Sequence, residues 1–123
     1  MELSLEAEKA GASLIRVSRK LSRACSKLTF AEPVTHVYNP LDYARRSHEV
    51  FLARFGGAFA NSRCLDAPRA ILLGMNPGPW GMAQTGIPFG DVSRCREWLG
   101  INESVQKPQN EHPKRPVTGF ECS

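Results

Sequence analysis

Ala70-Ile71-Leu72-Leu73-Gly74-Met75-Asn76-Pro77-Gly78-Pro79-Trp80-Gly81-Met82-Ala83-Gln84-Thr85-Gly86-Ile87-Pro88-Phe89-Gly90 is the stretch on which the reading of this chain turns. Its first six residues are a continuous apolar run, the pattern of a parallel strand covered on both faces. A carboxamide, Asn76, follows directly, and then a loop dense in Gly and Pro that closes on an aromatic, Phe89. Open α/β sheets build their sites where the carboxyl end of a strand opens into such a loop. The expectation is an α/β fold with a site at Asn76.

Upstream, Asn39 as N-cap, Pro40 at the first helical position and Asp42 in the first turn predict a helix start. Ala44, His48, Phe51, Leu52 and Phe55 then form one apolar face, and Gly56-Gly57 is expected to end the helix through positive φ. His48 on that stripe reads as a packed residue, with a ligand role as the alternative. Leu3 to Leu28 also reads as helix: Leu14, Val17, Leu21, Ala24 and Leu28 recur at helical spacing, with Gly11 as the one interruption. Arg16, Arg19, Lys20, Arg23 and Lys27 occupy its other faces, either as a solvated basic side or as a nucleic-acid contact.

Downstream, Asp91 to Leu99 predicts a short helix with Val92, Cys95, Trp98 and Leu99 inward and Gly100 just past its end. From Asn102 onward Pro108, Pro113 and Pro116 punctuate a segment with little to pack, so a disordered carboxyl-terminal tail is expected. A single strand would leave both edges unpaired, so the expected α/β domain is an incomplete one with few strands.

Composition narrows the class. The chain has 123 residues, 41% apolar and 23% charged, as ordinary globular domains do. A net charge of +4 mildly favours a polyanionic partner. Cys25, Cys64, Cys95 and Cys122 lie far apart without a C-x-x-C pair, so no metal site is expected. No apolar run reaches the roughly 18 residues of a membrane span, and no signal peptide opens the chain. Reduced thiols fit a nuclear or cytoplasmic protein. The Gly-rich loop has neither a G-x-G-x-x-G pattern nor a Gly-Lys-Ser/Thr ending, which argues against a phosphate-binding module.

The loop residues suggest a chemistry. Asn76 is a poor general base, but its carboxamide can hold a water through both an acceptor and a donor. That suits an electrophile already cation-like. Pro77 and Pro79 stiffen the turn, and Gly78 lets a substrate approach the backbone. Phe89 is suited to stack on a flat ring, with Met75 and Met82 as adaptable apolar walls. Each has a second reading: Asn76 as a turn cap, Phe89 as core filler, the glycines and prolines as a connector.

Gly74-Met75-Asn76-Pro77-Gly78-Pro79, continued through Gly81 to Gly90, resembles the first signature of the single-strand-selective monofunctional uracil-DNA glycosylases. The likeness extends to Tyr38-Asn39-Pro40, to Trp98-Leu99-Gly100-Ile101 and to Glu111-His112-Pro113-Lys114-Arg115-Pro116-Val117, covering about Leu28 to Cys122. The resemblance implies a three-layer α/β/α fold, incomplete here, as a truncated domain over 29–123 behind an amphipathic basic helix over 1–28. It implies excision of uracil or oxidised 5-substituted uracils from DNA by a nuclear monomer with neither cofactor nor metal. Carried onto this chain, Asn76 would position the attacking water and Phe89 would stack on the flipped base. Backbone at Met75 would hold the pyrimidine, Gly78 and Met82 would shape its pocket, and Lys114 and Arg115 would meet DNA. Gly78 stands where related glycosylases carry a tyrosine, which leaves room for a 5-substituent. The family's base-reading asparagine and late His-Pro-Ser-Pro motif are not in this sequence. Losing one donor to a developing anion costs about 10²–10³ in rate, so the expectation is little activity from this chain alone. The alternative is a non-catalytic DNA-associated or protein-interaction fragment.

Overall fold

The computed structural model describes residues 2–57 and 72–122. Every regular element among them is helical: α1 (Glu2–Cys25), α2 (Pro40–Tyr43), α3 (Arg45–Phe55), α4 (Met82–Thr85) and α5 (Val92–Glu97), closed by a 3₁₀ turn at Gly119–Glu121. This corrects the expected α/β fold. Ala70 and Ile71 lie outside the described residues, and the remainder of the predicted strand is irregular chain with Leu73 93% and Met75 100% exposed. An apolar run becomes a strand only beside another backbone edge. No described segment supplies one, so no three-layer sheet architecture stands among the described residues.

α1 packs on α3 through its small residues. Ala7, Gly11, Ser18 and Ser22 share one helical face, and Gly11 and Ser22 are buried. A Cβ at Gly11 would lie 3.2 Å from the Leu52 carbonyl oxygen and 3.3 Å from Ala53 Cα. Gly11 therefore does not interrupt the helix; it lets two helix backbones approach. Leu14, Val17 and Leu21, about a quarter turn away, stay exposed, because close backbone approach selects the small face over the large apolar one. Arg19 spans the same contact with Nε and Nη2 each 2.7 Å from a carboxylate oxygen of Glu49, and this pairing holds the Glu49 carboxyl below the usual carboxylate range.

Asn39 does not cap a helix with its side chain. Its Nδ2 donates to the Ser22 carbonyl at 3.0 Å and to Ser26 Oγ at 2.9 Å, tying α2 to the end of α1. The expected continuous helix from Pro40 to Phe55 breaks at Ala44, where φ is −106° and ψ 25°. The break lets Gly86 press onto Ala44: with φ +73°, a Cβ at Gly86 would sit 2.7 Å from Ala44 Cβ. His48, buried, donates from Nδ1 to the Gly86 carbonyl at 2.8 Å, and the Tyr43 hydroxyl donates to the Ala83 carbonyl at 2.6 Å. Gly56, with φ −62°, ends α3 without the expected positive φ.

The core lies between α3, α4, α5 and the carboxyl-terminal segment. Ile87, Val92, Cys95, Ile101 and Phe120 form one cluster, and Tyr43, Ala44 and Val117 a second. The disordered tail expected from Asn102 onward is therefore corrected, since Val117 and Phe120 are buried. The physical reason is that side chains and stray carbonyls satisfy the backbone of this proline-punctuated segment. Gln106 N–H donates to the Tyr43 carbonyl at 2.9 Å and Val117 N–H to Glu111 Oε1 at 2.8 Å. Gln84, 3% exposed, does the most. Its Nε2 donates to the Pro79 and Pro116 carbonyls at 3.1 Å each, and its Oε1 accepts from Thr118 N–H at 2.9 Å and Gly119 N–H at 3.1 Å. Trp98 departs from expectation in the other direction and is exposed.

Two outcomes follow for stability. Gln84→Ala leaves buried backbone donors and acceptors without partners and is expected to cost about 2–4 kcal/mol, measured by urea unfolding. Burial lowers the His48 pKa below its ordinary 6.5, against the raising influence of the Gly86 carbonyl and Glu49. The unfolded chain then takes up a proton that the folded chain resists, so stability is complete above pH 6.5 and declines as pH falls below it. Unfolding measured at pH 7.5 and at pH 5.5 should show this decline, and His48→Gln should flatten it.

Candidate active site

Two turns shape the loop that the sequence singles out. The Gly78 carbonyl accepts from Gly81 N–H at 3.1 Å and Ala83 N–H at 3.0 Å, with Pro79 second in the turn. Gly90 N–H donates to the Ile87 carbonyl at 3.0 Å, with Pro88 second and Phe89 third. Phe89 has φ +56°. Proline second and positive φ third define a type II turn, whose third position normally takes glycine. A phenylalanine there carries roughly 1–2 kcal/mol of backbone strain.

Neighbouring groups hold that conformation. Thr85 Oγ1 accepts from Ile87 N–H at 3.1 Å and donates to the Gly90 carbonyl at 3.0 Å, clasping the turn from inside. Gly90 rests directly on Cys95 Sγ and Ile87, leaving no room for a Cβ. Burial pushes the Cys95 thiol up, the Asp91 charge adds to this, and the Thr85 hydroxyl opposes it. Cys95 is thus a neutral packing group. Asp91 Oδ1 accepts from Arg94 N–H at 3.0 Å and from the Ser93 hydroxyl at 2.8 Å, capping α5. The same two bonds, the Arg94 one foremost, hold its carboxyl below the usual range.

With its backbone pinned, the Phe89 ring projects outward, 66% exposed, and lies over Gly74, where a Cβ would be 3.4 Å from its Cζ. Asn76, Gly78, Met82 and Met75 border one cavity with Phe89, of about 600 Å³. Asn76 Nδ2 donates to the Pro77 carbonyl at 3.1 Å. Its Oδ1 accepts no hydrogen bond among the described residues. An added Cβ at Gly78 would meet nothing within 4 Å, so this wall is open.

Lys114 and Arg115 lie elsewhere. Arg115 borders a separate cavity of about 470 Å³ with His36, Tyr38, Trp80 and His112. Pro77 borders both cavities. Among the described residues no three of His, Cys, Asp and Glu gather as a metal would require. Sequence reasoning missed Gln84 and Thr85, the residues that fix the loop. The available signal was a pair of polar residues between glycines in an otherwise apolar stretch. It also left Trp80 without a role.

The chain matches curated single-strand-selective monofunctional uracil-DNA glycosylases over 103 residues, 84% of its length. Identity is 50% with the protein of Rattus norvegicus, 48% with that of Mus musculus and 47% with that of Bos taurus. The chain is similar to these glycosylases over that stretch. It spans about a third of their length, 34% of the rat protein. No family model matches it. Strained residues persist where the surroundings over-determine them and gather at functional sites, and Phe89 at φ +56° is such a residue.

If Phe89 were core filler, its removal would cost about 3–5 kcal/mol. The exposed ring and the left-handed backbone give the opposite expectation. Phe89→Gly relieves strain of about 1–2 kcal/mol against a glycine entropy cost of about 0.5–1 kcal/mol. Urea unfolding should find this variant as stable as the parent, or up to about 1 kcal/mol more stable.

Proposed function

We propose that this chain carries the water-positioning and base-stacking wall of a uracil-DNA glycosylase. The reaction is base-excision repair in the nucleus, and the substrates are uracil and oxidised 5-substituted uracils such as 5-hydroxymethyluracil, in single- or double-stranded DNA. One observation carries the reading: Asn76 and Phe89, at opposite ends of the loop, border the same cavity.

The chemistry follows from the side chains. A base must leave the stack to reach such a cavity, at a cost of a few kcal/mol that is least for an unpaired strand. Phe89 offers a ring face to the flipped pyrimidine, and Met82 an apolar wall. Asn76 holds a water through its amide. As the C1′–N1 bond lengthens, its electron pair leaves with the base and the sugar becomes cation-like. The water oxygen then bonds to C1′ and loses a proton to solvent, the departed base anion takes one up from solvent, and an abasic site and neutral free base remain. Orientation suffices for this water because the electrophile is already activated. Gly78 leaves space beside the ring for a 5-substituent.

A second reading, binding without turnover, is favoured by one feature. The charged group bordering the Asn76 cavity among the described residues is Asp91, an anion, which cannot stabilise a departing uracil anion. On this reading the chain holds DNA as a non-catalytic fragment.

Both readings are tested by binding and by release. The purified chain should bind a single-stranded oligonucleotide containing one deoxyuridine more tightly than its thymidine counterpart. Phe89→Ala should erase that preference. Gly78→Tyr should keep uracil and lose 5-hydroxymethyluracil. Uracil release that disappears in Asn76→Ala supports the catalytic reading, and preference without release supports the second. Equal affinity for both oligonucleotides sinks the proposal.

A further inference from the structure

We infer that the cavity beside Trp80 is a second subsite, built for an unstacked nucleotide adjacent on the same single strand to the one at Asn76 and Phe89. The inference rests on the reading above for its direction along the strand. Its site is made of other residues.

Trp80 presents an indole 63% exposed at the tip of the Gly78–Gly81 turn. Across the cavity stand His36 and His112, ring edge to ring face with centroids 4.7 Å apart. Arg115 completes the wall, and its guanidinium makes no ion pair among the described residues. Tyr38 fixes this arrangement: its hydroxyl donates to the Arg115 carbonyl at 2.6 Å and accepts from His112 N–H at 2.8 Å. The segment bearing Arg115 is thereby anchored by its backbone, and the guanidinium itself is left for a ligand.

The chemistry of this wall selects its occupant. An exposed indole offers a flat face to a nucleobase of any sequence, and an unpaired guanidinium offers a cation to a phosphate. A cavity of about 470 Å³ is in the range of small-ligand sites. Pro77 forms a wall of both cavities, so a strand leaving the Asn76 cavity passes directly to Trp80. A base still stacked in a duplex cannot lay its face on Trp80, which makes this subsite a source of preference for single strands. The net charge of +4 agrees with a polyanionic ligand.

Fluorescence anisotropy of the full chain with labelled oligothymidylate, with and without one deoxyuridine, tests the inference. Trp80→Ala should weaken both single strands equally, by roughly 10-fold, and weaken a hairpin duplex much less. Trp80→Phe should retain most of the affinity. Arg115→Gln should weaken both strands and lower the salt slope by about one. The deoxyuridine preference should survive all three changes. Unchanged single-strand affinity in Trp80→Ala, or an equal loss on duplex, overturns the subsite while leaving the Asn76 reading intact. A Trp80-dependent affinity with no deoxyuridine preference in the parent supports the subsite and removes the Asn76 reading.

Discussion

The side-chain amide of Gln84 makes four hydrogen bonds to backbone groups, two given and two received, and both segments it touches lie outside the α-helices. Regular elements satisfy their own peptide groups. Loops must borrow partners or remain in water. Much of this chain from Leu72 to Cys122 is loop, so its packing is possible only where side chains stand in for the missing ladder. Gln84 joins the turn at Pro79 to the carboxyl-terminal segment at Pro116–Gly119. Thr85, next in sequence, does the same for the turn at Phe89.

That constraint explains how an exposed aromatic can be held at an unfavourable backbone angle. The Ile87–Gly90 turn is closed from inside by the Thr85 hydroxyl and seated on Cys95. The cost of Phe89's left-handed φ is therefore offset by contacts that any residue at that position would enjoy. A rigid loop with one outward ring differs from a flexible loop that happens to contain a phenylalanine. Its backbone is already bonded in place, so less ordering is required when a ligand binds.

The helices form the platform behind this loop. Small residues on α1 allow α3 to approach closely, and Ala44, just before α3, and His48, in its first turn, meet Gly86. The loop is thus gripped at Gly86 from one side and at Gln84 from the other. Both grips lie within or beside α4, which is only one turn long. The two cavities open on either side of Pro77, and their separation follows from that short element and the turn before it.

Motif and local geometry were legible in the amino-acid string because they depend on residue identity within a few positions. The Gly/Pro loop from Asn76 to Gly90, the apolar stripe containing Ala44 and His48, and the helix beginning near Asp91 are all of that kind. So was the likeness to the single-strand-selective glycosylases, which rests on residue order and needs no coordinates. The strand was misread for the converse reason: an apolar run says that a segment can be buried, and whether it meets a backbone edge depends on other segments. Leu72 and Leu73 met none among the described residues. Burial of Val117 and Phe120, the choice of the small face of α1, and the bonds of Gln84 likewise join positions remote in sequence. Only the folded chain could decide them, because each is a packing event between surfaces whose relative placement no local pattern encodes.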